Sequence, residues 1–360
     1  MLHTPLCERL GIRLPIIQAP MPSASTPALV VAVSKAGALG SLGSTLSQPE
    51  AMLRDAAEIR TQTQLPFNMN LFVSAEPDAV DAPAQRGALD AVAGYYRELG
   101  VPLPEPARAP YGLDLNAQLR AIEEIRPAVF TFHLGDLPQE RVRRIQTLGV
   151  KVGGSANCIA EARRLEALGL DFVVAQGAEA GGHRGSYLRD PYESMTGTLA
   201  LVRMIVRNVK VPVVAAGGIM DGAGIAAVLA LGAQAVWLGT AFVPCPESGA
   251  SQVHKQGILD SKEDATLVTE KFSGKPARAI SNRFIREMHQ REAPHLVFPA
   301  QNAITGKLRA AAAKAGSPDF VAMYAGQAAS LSRALPAAEL VSVLEAETLE
   351  CLDRLAALRE

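Results

Sequence analysis

This sequence has little cysteine, no long apolar run and no excess of either charge. Its four cysteines, Cys7, Cys158, Cys245 and Cys351, lie far apart and form no C-x-x-C pair. Neither a metal site nor a disulfide framework is therefore indicated. No uninterrupted apolar stretch reaches the ~18 residues that argue for a membrane helix. The opening MLHTPLCERLGIRLPII lacks the basic segment, apolar run and cleavage site of a signal peptide. These absences predict a soluble, cytoplasmic protein with no membrane partner. Lys and Arg number 35 against 36 Asp and Glu, a net charge of −1. With no basic tract either, binding to nucleic acid through its phosphates is not expected.

What the chain does have is a rhythm. Apolar runs at 15–19 (PIIQA), 38–42, 66–72, 129–133, 150–154, 172–176, 211–216 and 235–238 read as strands. Runs of this kind suit strands whose two faces are both covered. Segments of helical spacing at 27–35, 48–61, 115–125, 139–148, 159–168, 198–208 and 222–231 alternate with them. Eight strands interleaved with helices match an α/β fold of the (β/α)8, or TIM-barrel, type. The competitor is a doubly wound open sheet, which carries a G-x-G-x-x-G turn after its first strand. Here Met21 and Pro22 stand at that place, which favours the barrel. The rhythm breaks at about 74–111, a proline-bearing stretch read as an insertion with a helix at 87–99. Beyond Phe242, helical segments near 247–255, 281–289, 303–315 and 337–358 predict a mostly helical lid. The expected division is a barrel over 1–242 and a helical substrate or lid region over 243–360. The latter also supplies the last barrel helix.

The stretch at 172–187, FVVAQGAEAGGHRGSY, is the most informative. A strand ends at Gln176, and a loop holding Gly181, Gly182, His183 and Gly185 follows. Loops at strand carboxyl ends are where such folds keep their chemistry. Gly217-Gly218 and Gly239-Thr240 occupy equivalent places after the next two strands. Barrels bind phosphate there through peptide N–H groups; the plainer reading is a pair of tight turns. Gln18, Met21, Asn70, His133 and Gln176 also fall at or near strand ends, where amides can read the polar edge of a ring. Flavin mononucleotide (FMN) fits these parts. Its phosphate would lie at the last two strand ends, its ring between Met21, Asn70 and Gln176, and His183 above it.

The pieces PIIQAPM, PFNMNLF, TFHLG, AQGAEAGGHRG, PVVAAGGI, WLGTAF with PESG, and MYAGQAA together resemble the nitronate monooxygenases, formerly called 2-nitropropane dioxygenases, of the class acting on propionate 3-nitronate. That resemblance implies a flavoprotein oxidoreductase that binds FMN without iron. It implies oxidation of a small anionic nitronate by dioxygen, through a flavin semiquinone, to an aldehyde (here malonic semialdehyde) with nitrite or nitrate. Cofactor contacts would come from Met21, Asn70, Gln176, Gly181, Gly217, Gly218, Trp237, Leu238, Gly239 and Thr240, and Gln327 would close over the flavin. His183 would be the catalytic histidine. Tyr111, His133, His254, Lys307 and Tyr324 are expected pocket residues, with Lys307 or another cation facing a substrate carboxylate. A homodimer is left open. The rival readings are an NADH:quinone or enoyl-thioester reductase on the same flavin barrel, and a non-catalytic flavin-binding protein.

Overall fold

The computed structural model describes residues 2–359 apart from 75, 76 and 78, so three positions of the expected 74–111 insertion lie outside the described residues. In chain order the strands are β1 (Ile16–Gln18), β2 (Gly40–Gly43), β3 (Phe67–Phe72), β4 (Val129–His133), β5 (Lys151–Ala156), β6 (Phe172–Gln176), β7 (Gly182–His183), β8 (Val213–Ala216), β9 (Ala235–Leu238), β10 (Thr266–Thr269) and β11 (Ala277–Ile280). Eight of them form one parallel sheet in the order β1-β9-β8-β6-β5-β4-β3-β2. The sheet closes on itself where Ile17 bridges to Leu39. There Leu39 N–H donates to Ile16 O and Gln18 N–H to Leu39 O, each at 2.9 Å. The fold is thus the expected (β/α)8 barrel.

The strands are short because each crosses the barrel once, and nearly every residue in them is buried. From mid-strand onward the interior turns polar, and the polar groups satisfy one another as buried groups must. Asn68 Nδ2 donates to Ser41 Oγ at 3.1 Å and to Thr131 Oγ1 at 3.0 Å. Asn70 Nδ2 donates to the same threonine at 2.9 Å. Gln18 Oε1 accepts from Ser41 N–H at 2.8 Å. The opposite end is stopped by the helix Pro5–Leu10, which sequence reading did not anticipate. Its Leu6, Cys7 and Leu10 pack with Val129, Phe172 and Ala235 at the strand starts. A six-residue helix is too short to show a helical period.

The region after β9 is less purely helical than expected. It contains β10 and β11, which pair antiparallel, and β7 joins them as a third strand. Each is short and carries polar residues such as Thr266 and Arg278, so neither reads as a buried strand. The insertion helix runs Ala82–Glu98. It packs into a second core with this region, through Tyr95, Tyr96, Phe284, Ile304 and Leu308. Tyr96 hydroxyl donates to Ile304 O at 2.5 Å, tying the two segments together. Among the described residues no helix is long and apolar enough to cross a membrane.

The helix Ala337–Ala356 returns to the barrel and packs against the helices Gly222–Ala230 and Pro27–Lys35. It fills the place beside β9 and β1. The approach is close: a Cβ on Gly222 would stand 2.3 Å from Thr348 N and 2.4 Å from the Glu347 carbonyl carbon. Gly222 N–H also donates to Glu347 Oε2 at 3.1 Å. Gly222→Ala should therefore push this helix outward and cost about 1–3 kcal/mol. Urea unfolding would read that as a lowered midpoint, and an unchanged midpoint would show that the contact is loose.

Candidate active site

The loop between β6 and β8 leaves the barrel, makes the two-residue strand β7 against β11, and returns. Ala277 stands opposite His183 and Arg278 opposite Gly182. The His183 backbone is held from the barrel side as well. Its carbonyl accepts from Gln176 Nε2 at 3.0 Å and lies 3.1 Å from His133 Nε2. His133 Nδ1 meets the Ser155 hydroxyl. Gln176 Oε1 accepts from Asn157 Nδ2 and Gly185 N–H, both at 2.9 Å. The amide of Gln176, expected to read a ring edge, is thus largely committed to fixing the His183 loop.

A second brace is Arg184, fully buried although charged. It donates to Gly177 O at 2.5 Å and to Ser194 O at 3.1 Å. Burial lowers its pKa to about 10, with Arg278 nearby acting the same way. Two carboxylates beside it are spent on backbone donors, Glu161 from the helix Ile159–Ala167 and Glu179 from the loop. Glu161 accepts from Asn157 and Tyr187 N–H, and Glu179 from Thr198 N–H.

His183 itself is half-buried within an aromatic wall. Phe72 lies 5.6 Å from it, Phe298 5.5 Å and Tyr324 5.3 Å, ring centre to ring centre. Its Nε2 is 2.9 Å from Ser273 Oγ. Burial lowers the His183 pKa to about 3, and the charges of His133, Lys275 and Arg309 act in the same direction. The imidazole is neutral in the ordinary pH range. The Tyr324 hydroxyl is buried without a partner in bonding geometry, although Ser273 is near enough to act on it. An unsatisfied buried hydroxyl beside a half-buried histidine marks a place for a ligand.

The ends of β8 and β9 lie next to each other. The N–H groups of Gly218, Gly239 and Thr240 donate to no partner among the described residues. Gly218 has φ +68°, a conformation that glycine adopts without strain. This cluster of free peptide donors at a strand-end turn fits a phosphate. Glu179 already occupies the nearby amino end of the helix Thr198–Val206, so that end is not open to a ligand. A strap over the mouth completes the enclosure. Gly326 N–H donates to Thr240 Oγ1 and Gln327 N–H to Glu179 O, both at 2.8 Å. Gly181 is needed where this strap passes, because a Cβ there would stand 2.6 Å from Gly326 N.

The expected residues divide by place. Met21, Asn70, Gly217, Gly218, Trp237, Leu238, Gly239 and Thr240 lie in or just after β1, β3, β8 and β9, with Gly181, Gln176, His133, His183 and Tyr324 beside them. Met21 Sδ would be 3.6 Å from a Cβ on Gly239. Gln327 is exposed and contributes its backbone. His254 stands behind Tyr324, its Nε2 2.9 Å from the tyrosine carbonyl. Tyr111 accepts from Val80 N–H at 2.8 Å within the insertion. Lys307 does not join the group: it is exposed on the helix Ala300–Lys314, away from the buried Ile304 and Leu308. The cations that act on His183 are instead Lys275 and Arg309. Sequence reading missed both, together with Phe72, Ser273 and Phe298. Only Phe72, at the end of β3, carried a signal of position.

Burial also lowers the pKa values of His133 and His254 to about 4. All three histidines have folded-state values below their ordinary 6.5, so the unfolded chain binds protons that the folded chain refuses. Stability should therefore be complete above about pH 6.5 and fall progressively toward pH 4. Thermal midpoints measured across that window test this, and His254→Gln should flatten the fall. A slope unchanged in the variant would mean that His254 titrates normally.

Comparison with known proteins gives a consistent result. The family model described as nitronate monooxygenase matches residues 3–347. A nitronate monooxygenase of Pseudomonas aeruginosa is 43% identical over 94% of this chain and 97% of its own length. The crystal structure of nitroalkane oxidase from Streptomyces ansochromogenes superposes with a TM-score of 0.90 at 38% identity, covering 97% of this chain and 99% of that one. FabK from Thermotoga maritima superposes with a TM-score of 0.79 at 30% identity, covering 99% and 100%.

Proposed function

The chain belongs to the nitronate monooxygenase family, and from that premise we propose that it binds FMN across the barrel mouth and oxidises alkyl nitronates with dioxygen. Propionate 3-nitronate is the substrate proposed first, giving malonic semialdehyde with nitrite or nitrate. The observation that carries this reading is the pairing of a phosphate cradle at the β8 and β9 ends with a neutral, walled-in imidazole at the β6 end. Gly218, Gly239 and Thr240 would hold the phosphate by backbone N–H groups. Met21, after β1, and Asn70, in β3, would flank the ring system from strands that have β2 between them.

Bound FMN would supply the oxidation of the nitronate and the delivery of electrons to dioxygen. The protein's own part is to bind, orient and exclude water. Phe72, Phe298 and Tyr324 form an apolar enclosure. Lys275 and Arg309 make the enclosure favourable for an anion. His183 would hydrogen-bond the nitronate oxygens, or take the α-proton when the substrate is a neutral nitroalkane.

The visible spectrum of the purified protein, followed by oxygen uptake with propionate 3-nitronate, tests the reading. A colourless protein that takes up no flavin would end it. Rapid bleaching of the flavin by NADH without oxygen would favour a reductase instead. His183→Asn should keep FMN bound and lose most turnover, about a hundredfold in kcat/KM or more. Unchanged kcat/KM would remove His183 from the chemistry. Lys307→Met should leave kcat/KM for propionate 3-nitronate unchanged, because the side chain is exposed. A selective rise in KM for that substrate would show that Lys307 reaches the site.

A further inference from the structure

Ser273 is almost fully buried, at 1% exposure, and its hydroxyl stands among several polar groups, with the Tyr324 hydroxyl close by. It donates to Lys275 O at 3.2 Å, accepts from Lys275 N–H at 3.4 Å and lies 2.9 Å from His183 Nε2. A neutral imidazole has a single N–H. If that proton is on Nε2, Nε2–H donates to Ser273 Oγ, whose own proton goes to the Lys275 carbonyl, and Nδ1 alone is left without a protein partner among the described residues. If the hydroxyl turns toward Nε2, the Lys275 carbonyl loses its only donor among the described residues. The ring proton then moves to Nδ1, for which the described residues offer no acceptor. Nδ1 lacks a protein partner among the described residues either way, so the difference lies in the Lys275 carbonyl, which keeps its donor only in the first arrangement; that arrangement is therefore preferred in the free site.

We propose that Ser273 is a positioning residue that holds His183 as the Nε2–H tautomer, leaving Nδ1 as the bare proton acceptor toward a neutral nitroalkane. The proposal rests on the reading that His183 stands over the reacting carbon. In the step it serves, the α-proton moves to Nδ1 and the C–H electron pair becomes the C=N bond of the nitronate. One N–O π pair withdraws onto oxygen, giving a nitronate anion beside an imidazolium. The anion formed there offsets the burial that keeps the free imidazole neutral. Ser273 Oγ then accepts from a charged Nε2–H, a bond stronger than the neutral one. When the substrate is already a nitronate, no proton is taken. The hydroxyl can then turn to donate to Nε2 while Nδ1–H meets the anion.

Nitrogen-15 NMR of the holoenzyme, labelled at histidine and assigned with His183→Asn, reads the tautomer directly. A protonated Nε2 and unprotonated Nδ1 in the free wild type is expected, and a protonated Nδ1 overturns the proposal. In kinetics, Ser273→Ala should lower kcat/KM for nitroethane about tenfold, the scale of one hydrogen bond to a charged group. It should leave preformed ethyl nitronate within about threefold, since only neutral bonds change there. Ser273→Thr, which keeps the hydroxyl, should recover most of the loss. Equal losses on both substrates would show a structural role and overturn the proposal. If Ser273→Ala does not fold, the wild-type spectrum alone decides. A wild type that oxidises neither substrate would sink the functional reading, while the spectrum still judges Ser273.

Discussion

The site depends on two residues leaving the barrel. Gly182 and His183 depart from the loop after β6 and become the edge of a small sheet with β11 and β10. The histidine is thereby clamped between two bodies of structure. Backbone pairing holds it from the cap, and the side chains of Gln176 and His133 hold its carbonyl from the barrel. A reactive group needs such support from both sides, because a small error in placement costs much of its effect. Gly182 has φ +75°, which lets the chain turn sharply enough to make this exchange.

Charge is arranged around the clamp with a consistent bias. The carboxylates nearby, Glu161 and Glu179, are occupied with backbone N–H groups. The cations Lys275 and Arg309 find carbonyl or amide oxygens rather than carboxylates. Histidines held neutral by burial add no further positive charge. The net result is an apolar recess whose nearest uncompensated charges are positive and whose floor offers free peptide donors. Such surroundings suit an anionic substrate and a phosphate-bearing cofactor better than a cationic or purely apolar ligand.

Much of the barrel was readable because its signal is local. Each strand is a short apolar run closed by glycine or a polar residue, and the count of eight follows from reading along the chain. The glycines at 217, 218 and 239 were legible for the same reason: a turn at a strand end is written in adjacent residues. The reading failed where pairing is non-local. β10 and β11 are only four residues each, with threonines bounding the apolar pair of one and an arginine interrupting the other, and they exist because they pair with each other and β11 with β7. Lys307, expected to face a substrate carboxylate, is turned outward by helical phase, which brings Ile304 and Leu308 in.

The sequence by itself determined the eight strand-and-helix units, the placing of His183 on a glycine-bearing loop at a strand's carboxyl end, and the peptide cradle two strands further on. These are properties of neighbouring residues, set by burial period and by where the backbone must turn. Only the tertiary structure decided what surrounds the histidine. Ser273, Phe298 and Tyr324 come from segments roughly 90 to 140 residues further along the chain. They reach His183 because the cap folds back over the mouth, and nothing in their own neighbourhoods announces that contact.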